Sequence, residues 1–551
     1  MRLAPLALRQ RWERYWYRAG GRYAAAAVRI ALGVSILWML WRLRGGQGGT
    51  PEAAPDELYR PIGILKLLPW RPGETTFAIL WPVAWLSTLA MLVGAWSRGA
   101  TAVSFVAGLA IASYEYSFLP TWSHDNNPQL LAHLAFLGAR GGDAWSIDAW
   151  RRQRRGLATP EDHPYLWSVL LVQLTVALVM ANAAFYKLHA GGAQLSWIFS
   201  DNLRNHVLAR FDLKGLPRTE LASWLIEEPA RWKAAALLNV IAQLLPLAAC
   251  FATRRPVLRA VLGGAFVTET VALDLVMDFP NYLWIPLAAA FVDWDRLVAR
   301  LVARLGARAR PAAAPRPIGA ADAIAAQGPP SRAARGFLVA FLVADVAIAF
   351  WRWPRIDQKL SAYPLTAFPM FATIRAEPPY GEHRPYEFLE TRFEVDADPA
   401  PGADVLAWAD SHRRGWQLTN VRSPDALHQR LTAFAAELRA AFPAATVRAV
   451  RVSLVAIRAA SYPAPAGLTR APVATLAELT ASGELRAMLG RVDGAGAAPS
   501  PRGLPPPQGL AVYDRGQRTE LAGPPPRRAF VLARAAVPGL GERWFVVGTR
   551  R

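Results

Sequence analysis

The chain has 551 residues, of which 53% are hydrophobic and 22 are tryptophan, and its formal net charge is +21. In a soluble protein that charge would point to nucleic acid. Here the arginines cluster at the ends of apolar runs, with no zinc-ligand spacing, RNP pattern or helix-turn-helix signal, so the composition argues for lipid and against a nucleic-acid partner. The single cysteine, Cys250, lies inside an apolar run; it excludes an intramolecular disulfide framework and cysteine-rich metal sites.

Residues 1–22 carry Arg2, Arg9, Arg11, Arg14, Arg18 and Arg22 and read as a basic amphipathic lead-in. The apolar run that follows is too long for a cleaved signal sequence and lacks a cleavage pattern. Runs able to cross a hydrocarbon core of roughly 30 Å follow one another along the chain. They are Tyr23 to Leu43, Thr76 to Trp96, Ala100 to Leu119, Trp122 to Ala139, Tyr165 to Leu188, Trp232 to Ala252, Val257 to Met277, Phe279 to Phe291 and Gly336 to Trp351. The fourth opens with polar residues and the eighth is short, so each either tilts across or re-enters.

Arginine counts orient these runs. With the N-terminus cytoplasmic, the inner segments hold Arg140, Arg151, Arg152, Arg154 and Arg155, then Arg254 and Arg255, then eight arginines from Arg296 to Arg335. The outer segments 44–75 and 189–231 are nearly balanced in charge. Such a bias fits an odd number of crossings and a C-terminus on the far side. The sequence therefore predicts an all-α polytopic membrane domain of about eight or nine transmembrane helices, followed by a mixed α+β extracytoplasmic domain. The expected units are residues 1–22, a transmembrane domain over 23–300, a flexible basic cytoplasmic loop over 301–335, a final helix over 336–353, and the outer domain over 354–551. In that last unit Tyr386 to Val395 and Thr446 to Ile457 alternate like strands, Ser423 to Phe442 reads as an amphipathic helix, and 494–527 reads as linker or irregular loop.

This topology gathers polar residues at the outer face: His124, Asp125, Asn126 and Asn127 where the fourth span begins, Lys187 and His189 where the fifth ends, and Asp274 in the seventh. Ionisable residues at membrane depth are costly and mark candidate sites, and an apolar wall beside a lysine is one way to make it a base. Each has a plainer alternative. Lys187 could snorkel to the headgroups, and His124 with Asp125 could form a hydrated loop or helix cap. His133, on an apolar helix, could be a hydrogen-bonded packing residue. Asp274 lies within its span and needs a partner, as does Arg29 in the first span.

Several stretches in order resemble the vitamin K-dependent gamma-carboxylase-like family, also called the horizontally transferred transmembrane (HTTM) domain family. They are VRIALG, LYRPIGILKLLPW, WSHDNNPQLLAHLAFLGA, AWSIDAWRR, AAFYKLHAGGAQLSW and MDFPNYLW, spread over roughly residues 20–300. The resemblance implies a multi-pass protein of the bacterial inner (cell) membrane and places Lys187 at the family's base. That base deprotonates reduced vitamin K or another lipid quinone, after which oxygen yields an alkoxide strong enough to remove a proton from a glutamate, and CO2 is captured. His124 is the second catalytic candidate beside Lys187, the Asn126–Asn127 pair matches a family motif, and Asp125, Asn126, Asn127, His133 and Asp274 are the substrate-binding candidates, with no metal. The expected partners are the lipid bilayer and a secreted or membrane peptide. The alternative is a non-catalytic membrane scaffold of the same fold, or one that handles a lipid or secreted partner.

Overall fold

The structure is a computed structural model. It describes residues 3–17, 20–44, 59–118, 124–157, 164–213, 216–306, 332–349, 361–362, 365–366, 373–377, 380, 383–398, 424–492, 496–514, 517–526, 529–537 and 540–549. Most of the expected 301–335 loop, the start of the fourth span and residues 354–360 lie outside the described residues.

The helical unit runs α1 (Leu3–Trp16), α2 (Arg22–Arg44), α3 (Glu74–Val93), α4 (Ser97–Ser117), α5 (Asn127–Phe136), α6 (Ile147–Arg154) and α7 (Leu166–Gly191). It continues with α8 (Ser196–Phe199), α9 (Asn202–Asp212), α10 (Glu220–Ile226), α11 (Pro229–Phe251), α12 (Pro256–Met277), the 3-10 helix Tyr282–Phe291, α13 (Trp294–Gly306) and α14 (Arg332–Ala349). α7 is the central element; Val169, Leu171, Val172, Val176, Met180 and Ala183 on several of its faces are buried. α3, α11 and α12 pack on one side only. Their other sides present Ile79, Leu86, Leu238, Ile241, Val257 and Val261 outward.

Among the described residues five helices are long and apolar enough to cross a membrane: α2, α3, the α7 segment, α11 and α12. That is fewer full-length apolar helices than the eight or nine expected spans. α4 is long enough, but Ser97, Arg98, Thr101, Ser104, Ser113 and Glu115 dilute it. Its hydroxyls turn inward, where Thr88 Oγ1 and Ser104 Oγ lie 2.7 Å apart. α14 carries Arg332, Arg335 and Asp345 in 18 residues. α5 has ten residues, about 15 Å of helix, and the 3-10 helix has ten, about 20 Å. Pro286 lies inside the 3-10 segment. Carbonyls near its ends are taken up by neighbours: Ser35 Oγ donates to Leu283 O (2.5 Å), Gln173 Nε2 to Ala290 O (2.5 Å) and Arg259 Nε to Phe291 O (3.1 Å).

Polar ties hold the two ends of this unit. At one end the Asp295 carboxylate accepts from Tyr23 N and Ala24 N (3.3 and 3.1 Å) at the start of α2. There also Asp148 accepts from Trp96 N, Ser97 N and Ser97 Oγ (2.9, 2.7 and 2.8 Å) at the start of α4. Tyr15 Oη donates to Cys250 O (3.0 Å) near the end of α11. At the other end Arg42 lies 3.8 Å from Asp125, Arg60 N donates to Ser117 O (2.8 Å), and Arg210 donates to Met277 O and Asp278 O (3.0 Å each). Arg29, fully buried in α2, is partnered: Nη2 donates to Trp145 O (2.6 Å). Its guanidinium lies over Gly94, where φ is +70° and an added Cβ would fall 1.6 Å from Nη1.

The C-terminal unit is a nine-stranded mixed sheet with one packed helix. Its strands are β3 (Tyr386–Asp398), β4 (Thr446–Ala459), β5 (Leu468–Thr480), β6 (Leu485–Val492), β7 (Ala497–Arg502), β8 (Gly509–Asp514), β9 (Gln517–Glu520), β10 (Phe530–Val537) and β11 (Gly541–Thr549), while β1 (Ser361–Ala362) pairs with β2 (Leu365–Thr366) separately. The path is β3-β4-β5-β11-β10-β8-β9, with β6 on β5 and β7 on β6; β5 and β11 are the parallel pair. Alternation in β3 and β4 sends Phe393, Val395, Val450 and Val452 to one face, against Leu427, Leu431, Phe434 and Leu438 of α15 (Pro424–Ala441). The 494–527 stretch, expected to be irregular, contains β7, β8 and β9. Proline and glycine there mask short strands at the end of the sheet, where few ladder bonds are required.

Candidate functional site

Lys187 lies one turn before the end of α7 and is 1% exposed. Its Nζ donates to Asn239 Oδ1 (2.5 Å) and Gln243 Oε1 (3.1 Å), both on α11. The same two amides donate from their nitrogens to one oxygen of Glu269 on α12: Asn239 Nδ2 at 3.0 Å and Gln243 Nε2 at 2.5 Å, both to Oε1. An ammonium only donates and a carboxylate only accepts, which fixes the orientation of both amides. Two amide bridges in parallel thus join a buried cation to a buried anion across three helices. Oε2 of Glu269 makes no hydrogen bond among the described residues.

The helices set the depth. Asn239 is ten residues into α11, about 15 Å, and Glu269 is eight residues from the end of α12, about 12 Å. Trp197, from α8, covers the lysine with its ring centroid 4.6 Å from Nζ. The chain returns over Lys187 through Gly191 and Gly192. A Cβ on Gly191 would come within 2.9 Å of Ser196 N and Trp197 N, and Gly192 has φ +60°.

The other expected site residues fall in different surroundings. His124, Asp125 and Asn126 form a 3-10 turn ahead of α5. Asp125 faces Arg42, and its carbonyl accepts from Trp284 Nε1 at 2.7 Å. Asn126 donates to Tyr116 Oη (3.0 Å) and accepts from Gln129 Nε2 (3.1 Å), while Asn127 is fully buried in the first turn of α5. His133 is fully buried, donates from Nε2 to Thr101 O at 3.0 Å and sets its ring edge-on to Phe105, which is a packing environment. Asp274 accepts from Tyr282 Oη. The partners of Lys187 come from α8, α11 and α12; those of Asp125 and Asn126 come from α2, α4, α5 and the 3-10 helix. The two sets share no residue.

Asn239 and Gln243 were not singled out in the sequence, and Glu269 was not among the site residues. The available signal was two amides at i and i+4 in the apolar run LLNVIAQLLPL, facing a lone carboxylate in VTETVAL.

Beyond Trp197, α9 joins the C-terminal unit. Asn205 Nδ2 donates to Arg375 O (2.6 Å), Asn202 Oδ1 accepts from Arg375 N (2.5 Å), and Arg204 Nη1 donates to Ala460 O (2.5 Å). His206 Nε2 donates to Thr373 O (2.9 Å). Burial and then the Arg375 guanidinium push His206 down to about 3, so it is neutral at ordinary pH. Comparison of the chain with protein-family models, with curated proteins and with solved structures finds no match.

Proposed function

We propose that this is a multi-pass membrane protein carrying a lysine-centred reactive site in its helical unit, of the kind seen in the HTTM and gamma-carboxylase-like family. What carries the reading is the buried Lys187–Asn239/Gln243–Glu269 network. Charged groups are expensive at membrane depth and are kept there chiefly for function. A lysine held by two acceptors is an acid in its resting form. It becomes a base when the proton leaves, and Glu269, whose Oε2 makes no hydrogen bond among the described residues, is the carboxylate the network offers to receive it. Trp197 covers the lysine nitrogen, which supports a site kept from water, as a strong base requires.

The topology proposed is nine traversals, N-terminus cytoplasmic and C-terminal domain outside. It is supported by the ties at the two ends. Residues 141–155 meet the start of α4 while Asp125 meets the end of α2, so the short α5 segment runs from one end to the other. Asp278 and Asp295 likewise lie at opposite ends of the 3-10 segment. The proposed substrate is a reduced lipid quinone, reduced vitamin K among them, with O2 and CO2, acting on a secreted or membrane peptide.

The same network would also serve a non-catalytic scaffold, since it clamps α7, α11 and α12 together. The test is a purified-protein assay with reduced quinone, oxygen and labelled bicarbonate. The enzyme reading expects quinone oxidation that falls at least a hundredfold in Lys187→Ala. Equal rates in wild type and variant would remove it and leave the scaffold.

A further inference from the structure

At the junction of the two units, His383 of the C-terminal unit meets Asp201 of the helical unit. His383 Nδ1 lies 2.8 Å from Asp201 Oδ1 and 3.0 Å from Oδ2. Asp201 is 4% exposed, and its carbonyl accepts from Asn205 N (3.0 Å), which fixes it at the start of α9. A buried carboxylate accepts only, so Nδ1 carries a proton, and in the neutral ring the lone pair is then on Nε2. Nε2 makes no hydrogen bond among the described residues, and the side chain is 29% exposed. The ring is held by Trp232 (centroids 6.1 Å, edge-on) and Tyr462 (4.9 Å). Arg204, 1% exposed and with its guanidinium 5.9 Å from the Trp232 ring, is the buried cation of the same junction.

We infer that His383 and Asp201 form an acid–base dyad, assembled only when the two units dock, that exchanges a proton with an O–H or N–H group of a substrate entering at this junction. In the base direction the Nε2 lone pair takes the proton. The N–H bond forms, the X–H bond breaks and its electron pair stays on X. Asp201 stabilises the resulting imidazolium and holds the ring in the tautomer that leaves Nε2 open. The dyad does not depend on Lys187 acting as a base. It does lie on the same face of α11, where Trp232, Ala236, Val240 and Gln243 are all buried, so that Trp232 at the dyad and Asn239 at the lysine are seven residues apart, about 10 Å. The arrangement makes the C-terminal unit a contributor to chemistry at the helical unit.

The plain alternative is an ion pair that merely straps the two units together. Limited carbethoxylation of the full-length protein in nanodiscs, read by peptide mass spectrometry, separates them. An open, oriented Nε2 is acylated at a rate comparable to or above that of free N-acetylhistidine, while the buried His133 and His206 stay unmodified. Asp201→Asn slows His383 at least fivefold. A wild-type His383 rate tenfold or more below N-acetylhistidine overturns the dyad, as does an unchanged rate in Asp201→Asn. The wild-type comparison decides the matter even if Asp201→Asn fails to dock.

Discussion

Neutralising one member of the buried pair strands the other. Two hydrogen bonds joined through an amide set the Lys187 and Glu269 charges roughly 5–6 Å apart, worth about 3 kcal/mol at an effective dielectric near 20. Glu269→Leu removes that attraction and leaves the Asn239 and Gln243 donors without their acceptor, for a total loss of ~3–5 kcal/mol. Lys187→Met has a loss of the same order for the mirror reason. The double variant Lys187→Met/Glu269→Leu has no stranded charge and is expected to regain most of the stability, with a coupling energy of at least ~2 kcal/mol. The assay is equilibrium unfolding in mixed micelles, where 3–5 kcal/mol is roughly a 150- to 5,000-fold change in the folded-to-unfolded ratio. Additive losses within about 0.5 kcal/mol would refute a coupled pair, since independent sites behave that way. The double variant also sorts the two functional readings: a scaffold keeps its fold and its role, while an enzyme keeps its fold and loses turnover.

Other perturbations have equally definite outcomes. His206 is held neutral well below its unfolded value, so its contribution is complete above about pH 6.5 and is lost as pH falls toward 3; at pH 5 the loss is about 2 kcal/mol. Limited proteolysis between the units should therefore accelerate from pH 7.5 to 5, and His206→Gln should flatten that dependence. Gly94→Ala meets both a left-handed backbone and the Arg29 guanidinium, and should lower stability by at least ~2 kcal/mol in a thermal-unfolding series. Asp148→Ala removes three acceptor contacts at the start of α4, for a loss of about 1–2 kcal/mol, measurable in the same series. A cysteine placed at His189 in a Cys250→Ala background should label from outside intact cells and one at Arg152 should not, which checks the proposed orientation.

What could be read from the sequence followed the range of the interaction. Helix length and the strand alternation of YEFLETRFEV and TVRAVRVSLV are local properties, and the structure carries β3 and β4 over those residues. The count of full-length spans was less legible. A hydropathy run cannot distinguish a ten-residue helix flanked by turns, such as α5, from a complete crossing, nor foresee that α4 would turn its serines and threonines inward. Lys187 could be singled out because a charge at the end of an apolar run is locally conspicuous. Its partners could not, because Asn239, Gln243 and Glu269 lie 52, 56 and 82 residues away and become neighbours only through the packing of α7, α11 and α12. The same holds for His383 and Asp201, which are 182 residues apart.

The distribution of polar groups at the junction bears on how the two units work together. An interface needed only for attachment is served by apolar contact and a polar rim. Here Asn202, Arg204, Asn205 and His206 are all buried, and each spends its side chain on a backbone carbonyl or amide of residues 373–375 or 460. Hydrogen bonds to backbone groups are directional, so they fix orientation as well as contact. That precision is delivered at the start of α9, the helix that Asp201 immediately precedes and that follows closely on Trp197 over Lys187. A tether would not require it; a reactive centre whose proton donors and acceptors come from both units would. Undocking the C-terminal unit while leaving the helical unit folded should therefore cost activity even though Lys187 and its three partners are all in the helices.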